Sequence, residues 1–79
     1  MPAQCPIFRR TSTQTLKKDV ILHSALRANH FRRKRGYSEK RAIAMAYKEQ
    51  AKCAYGKKKS LTPKIEKAIK EKMKTLLKK

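Results

Sequence analysis

Seventy-nine residues carry 23 Lys and Arg against five Asp and Glu, a formal net charge of +18. A chain this short makes one small domain at most, and nine of its apolar residues are Ala, so its core is modest and about 3–5 kcal/mol is the ceiling on stability. No run of about 18 apolar residues exists to span a membrane.

The charge repels itself in an isolated domain, and a polyanion removes that repulsion. Each phosphate neutralised also releases a condensed counterion. Nucleic acid is therefore the expected partner, ahead of an anionic membrane or an acidic protein surface.

The chain opens with an arm, residues 1–14, in which Pro2 and Pro6 favour extended backbone and Arg9 and Arg10 add charge. Its start, MPAQCPIFRR, has no apolar region of a secretory signal. The first 18 residues are basic, acid-free and hydroxyl-rich like a mitochondrial address, but lack a clean amphipathic stripe. The helical domain is expected over 15–79. Thr11–Thr15 is rich in helix N-cap candidates. Leu16 to Ala28 then reads as a first helix, with Leu16, Val20, Ile21, Leu22, Ala25 and Leu26 forming a broad apolar stripe. Asp19 in its first turn would suit the helix dipole.

A basic segment follows, His30-Phe31-Arg32-Arg33-Lys34-Arg35, ended by Gly36. Four consecutive cations beside an aromatic ring suit a phosphate groove, with Phe31 either stacking on a base or filling the core. The same composition serves a nuclear-localisation signal, and the two roles can coexist.

Ser38 is a good N-cap with Glu39 just inside, so a second helix starts there and runs through Ala54 or Tyr55 to a left-handed cap at Gly56. At 100° per residue, Ala42, Ile43, Ala46, Tyr47, Cys53 and Ala54 share one arc, while Arg41, Lys48 and Lys52 share another with Met45 at its edge. An Ala-rich arc lets another backbone come close. Tyr47 reads as core, and Tyr37 and Tyr55 flank the helix ends where a ring can pack or stack. Lys57-Lys58-Lys59 is a basic linker. Thr62 then caps a third helix with Pro63 at its first position, running to about Leu77. Its stripe, Ile65, Ala68, Ile69, Met73, Leu76 and Leu77, is the cleanest in the chain, with Lys64, Lys67, Lys74 and Lys78 opposite. The expected fold is all-α: two or three short helices in a small loose bundle with an extended basic N-terminal arm.

All seven arginines lie at or before Arg41, and twelve of the sixteen lysines lie after Tyr47. Arg presents a planar fork that binds phosphate at two points, whereas Lys is a mobile point charge. The first half thus reads as the contact-making half and the second as an electrostatic anchor. Cys5 and Cys53 read as free thiols in a reducing compartment, because a disulfide framework needs more cysteines and a secretion signal. The order Cys5–His23–His30–Cys53 matches no close-paired zinc spacing, so no metal site is expected. His23 is expected on a helix surface and His30 in the basic patch. With two glycines and five scattered acids, neither a phosphate loop nor a carboxylate pair is present, and no catalytic residues, cofactor or small-molecule substrate are expected.

The stretch Gly36-Tyr37-Ser38-Glu39-Lys40-Arg41-Ala42-Ile43-Ala44-Met45-Ala46 resembles the Gly-x-Ser-x-Lys-Gln-Ala-Ile-Ala-x-Ala segment of small basic proteins of phages and large double-stranded DNA viruses. Arg41 stands where that pattern usually has Gln. The resemblance covers about a dozen residues of an Ala-rich segment, and those proteins are largely of unknown function, so no functional residues carry over. It implies a viral setting, on the genome or under the capsid shell.

The expectation is non-catalytic, largely sequence-independent binding of nucleic acid, DNA ahead of RNA, through phosphates. Its contact residues are Arg9, Arg10, Arg32, Arg33, Lys34, Arg35, Arg41, Lys48, Lys52, Lys57, Lys58 and Lys59. The alternative is a structural component of a large assembly, a minor capsid or cement protein or a ribonucleoprotein component, that bridges partner proteins. The expected setting is intracellular: a virion if viral, otherwise nucleus or nucleoid.

Overall fold

The computed structural model describes residues 5–57 and 59–77. They form three helices: α1, Thr13–Arg35; α2, Glu39–Tyr55; and α3, Pro63–Leu77. The all-α expectation holds, and α2 and α3 have the expected ends. Ser38 is extended at φ −63°, ψ 158° and its hydroxyl accepts the Arg41 N–H. Gly56 closes α2 in the left-handed region at φ 74°, its N–H donating to the Lys52 carbonyl at 2.9 Å. Thr62 Oγ1 accepts the Ile65 N–H at 3.3 Å and so caps α3.

The first helix is longer than expected at both ends. It is capped by Ser12, whose Oγ accepts the Thr15 N–H at 3.1 Å. Asp19 therefore lies beyond the first turn, which contains no acid. At the other end the helix runs through the basic block to Arg35. Arg and Lys are good helix formers, and four cations in the last turn complement the negative end of the dipole. The block is the end of α1, not a separate segment. Gly36, at φ 66°, then stops it.

A connection of only three residues turns α2 back along α1. The two helices meet through Ala25, Ala28, Ala42, Ala46, Ala51 and Ala54, all fully or nearly fully buried. Small side chains let the backbones approach closely, as the Ala-rich arc implied. Phe31, Ile43, Tyr47, Ile69 and Met73 fill the space around this seam, and α3 packs chiefly on α1. The α2 arc differs from expectation in detail. Gln50 and Ala51 are buried, and Cys53 is only partly so. Gln50 Oε1 and Ser24 Oγ are buried without a hydrogen-bond partner, and the Gln50 amide nitrogen reaches only Glu49 Oε1 at 3.5 Å. In α1, Leu22 is partly buried and Leu26 is exposed, so the broad stripe narrows to Val20, Ser24, Ala25, Ala28 and Phe31.

From Cys5 onward the arm is extended but not loose, and it ends at Ser12. Contacts among the described residues hold it. Cys5 is joined to Cys53 by a disulfide with Cα atoms 5.5 Å apart. Phe8 is buried edge-on against His23, ring centroids 5.2 Å apart. The Arg9 N–H donates to Asp19 Oδ2 at 2.8 Å. The expectation of two free thiols is therefore wrong. Their separation of 48 positions hid a pairing that only the α1–α2 turn creates. His23 is likewise part of the arm's seat rather than a plain surface residue, while His30 is exposed beside the basic patch as expected.

Candidate nucleic-acid interface

The fold sorts ten of the twelve expected contact residues into two groups. Arg32, Arg33, Lys34 and Arg35 crowd the C-terminal turn of α1, and the Gly36 turn sets Arg41, in the first turn of α2, beside them. All five side chains are exposed. Arg9, Arg10, Lys52, Lys57 and Lys59 lie at the opposite end, where α1 begins, α2 ends and the disulfide joins the arm to α2. A 23-residue helix separates the groups, roughly 35 Å at 1.5 Å per residue. Lys48 sits between them on the outer face of α2. Lys58 lies outside the described residues.

The arginine end has internal order. The Arg27 guanidinium lies 4.8 Å from the Phe31 ring centroid and that of Arg35 lies 5.4 Å from it. Arg41 stacks on Tyr37 at 4.6 Å. The Phe31 and Tyr37 rings are themselves 5.8 Å apart. Guanidinium–ring contacts contribute about 0.5–1 kcal/mol each at exposed sites. They also restrict side chains whose forks remain exposed. Phe31 is 3% exposed, which decides between its two expected roles: it is a core residue and a seat for arginines, and it is not available to a base.

Few carboxylates offset this end. Glu39 Oε2 lies 3.6 Å from Arg32 Nη1, and its other oxygen lies 4.0 Å from Lys70 Nζ. Glu49 Oε1 lies 3.2 Å from Arg27 Nε, a charge contact whose N–H is not aligned to form a hydrogen bond. Asp19 is turned toward Arg9 and His23 at the far end. Partly exposed pairs of this kind contribute about 0–1 kcal/mol and exchange readily for another anion.

Two surface clefts adjoin these groups. One, of about 340 Å³, is lined by Asn29, Arg32, Arg33, Gly36, Tyr37 and Leu77. The other, of about 320 Å³, is lined by Ala44, Tyr47, Lys48, Lys59, Ser60 and Leu61. Burial, and secondarily the neighbouring Tyr55, hold the Tyr47 phenol above its ordinary pKa and therefore neutral. The Lys59 ammonium lies 4.8 Å from the Tyr55 ring centroid.

Sequence reasoning did not single out Arg27 or Asn29. Arg27 stands four residues before Phe31, the spacing that places a cation over a ring on one helix face, and that signal was readable. Asn29 gains significance only through Leu77, which α3 carries back to it. No protein-family model, characterised protein sequence or solved structure matches this chain.

Proposed function

We propose that this protein binds nucleic acid, DNA in the first instance, through the phosphate backbone and without catalysis. The observation that carries the reading is the arginine end: five exposed cations on one α-helical corner, two of them held on aromatic rings, with Glu39 the nearby acid. Forks held in this way contact phosphates at two points with little further ordering. The lysines at the other end extend the positive surface along a strand. Binding of this kind tolerates sequence, since phosphate contacts position a protein but do not read bases. Purification at low salt tests it: the protein should elute with nucleic acid that nuclease removes.

A second reading, a structural component of a virion or other large assembly, is favoured by the disulfide and by Ile7. Disulfides persist in oxidising surroundings, virions among them, and are reduced in nucleus or cytosol. Ile7, beside the disulfide, is 96% exposed, an apolar side chain left for a partner. A shell component would stay with other assembly proteins after nuclease and salt treatment. The resemblance of Gly36–Ala46 to small basic viral proteins is compatible with both readings.

A further inference from the structure

The geometry points to the cleft at the end of α1 as a site for one nucleotide of a single-stranded nucleic acid. This deepens, and rests on, the nucleic-acid reading above. Asn29, Arg32 and Arg33 are spaced i, i+3 and i+4, so they share one face of the last turns of α1. The Gly36–Tyr37 turn bounds the cleft on one side and Leu77 of α3 on the other. Among the described residues beyond its two chain neighbours, nothing lies within 4 Å of where a Gly36 Cβ would stand, which leaves room for a ligand beside the backbone there.

The lining divides as a nucleotide does. Arg32 and Arg33 offer two forks to phosphate oxygens. Asn29 carries both an amide donor and a carbonyl acceptor, the combination that meets a base edge. Tyr37 and the half-exposed Leu77 give the base apolar surface. Glu39, 3.6 Å from Arg32, marks where an oxyanion already rests on this fork. A strand phosphodiester carries the same single charge and takes that place on the fork, because the partly exposed Arg32–Glu39 pair is weak.

Size and access select the strand type. At about 340 Å³ the cleft is at the small end of ligand sites. A duplex keeps its bases stacked between its backbones and offers none to such a cleft, whereas a single strand turns one out freely. Lys34, Arg35 and Arg41 then meet the flanking phosphates, which a free mononucleotide lacks.

The test measures binding by fluorescence anisotropy to a labelled single-stranded DNA of about 12 nucleotides, within the range one small domain covers, and to the duplex of the same sequence. Wild type, Asn29→Ala and Asn29→Lys are compared, each with its melting curve. Asn29→Ala should weaken single-strand binding by up to about tenfold, the loss of one hydrogen-bonded contact, and leave duplex affinity and melting unchanged. Asn29→Lys adds a charge that attracts both polyanions, so it should strengthen the duplex and help the single strand less, because the base contact is lost. Equal effects of either substitution on both probes would overturn the cleft. So would thymidine monophosphate binding as tightly as the oligonucleotide. If the wild type binds the duplex with steep salt dependence but Asn29→Ala changes nothing, only the cleft fails. If the wild type binds neither probe, the nucleic-acid reading fails with it.

Discussion

Opening the Cys5–Cys53 disulfide removes a cross-link that encloses α1 and nearly all of α2. The bridged residues are 48 apart, and the chain-entropy model then assigns the bridge about 14 cal/mol/K, or about 4 kcal/mol at 25 °C. That equals the whole stability expected of a domain this size, about 3–5 kcal/mol. The arm's other anchors, the Phe8 side chain against His23 and the Arg9 N–H on Asp19, add too little to hold it alone. Each kcal/mol corresponds to about 4–8 °C in a small domain, so the melting midpoint should drop by at least about 16 °C. Far-UV circular dichroism on the oxidised protein, the reduced protein and the Cys5→Ser, Cys53→Ser double variant measures this. The reduced protein and the variant should agree. Identical melting in all three, or two titratable thiols in the native protein, would refute the reasoning.

Ile69 is fully buried, so Ile69→Lys should cost at least about 2 kcal/mol by placing a charge in an apolar contact; chemical denaturation reads the loss, and an unchanged midpoint would mean α3 is not packed. Replacing Arg32, Arg33 and Arg35 by Lys keeps the net charge at +18, yet titration against DNA should show weaker binding, because the forks over Phe31 and beside Glu39 are lost. Changing Lys57 and Lys59 to Arg should not weaken it. Gly56→Ala finds no steric neighbour but a φ of 74°, so it should cost about 1 kcal/mol of helix-cap stability, measured by thermal melting.

How far the fold could be read depended on punctuation. Ser38, Gly56 and Thr62-Pro63 are unambiguous stops and starts, and α2 and α3 follow them. In α1 the Thr11–Thr15 stretch offered several caps in a row, and the helix used an earlier one, Ser12. The basic run from Arg32 suggested a change of structure, but charge does not break a helix; Gly36 does. Gln50 and Ser24 hid part of the α1–α2 seam because polar residues at core positions interrupt an apolar pattern. The arm's attachment was beyond reach, since Phe8 meets His23 and Cys5 meets Cys53 only after α1 and α2 have folded back on each other. Of the candidate site, Arg32–Arg35 was visible as a charge run. Its union with Arg41, and the part Asn29 and Leu77 have in the cleft, follow from the Gly36 turn and the return of α3.

The measurement that tests the central claim most directly is the salt dependence of binding to a mixed-sequence DNA. With six or more phosphates contacted, affinity should fall by about 10³-fold or more between 50 and 200 mM salt, and log affinity should decline linearly with log salt concentration. Affinity insensitive to salt, or confined to one duplex sequence, would contradict the account.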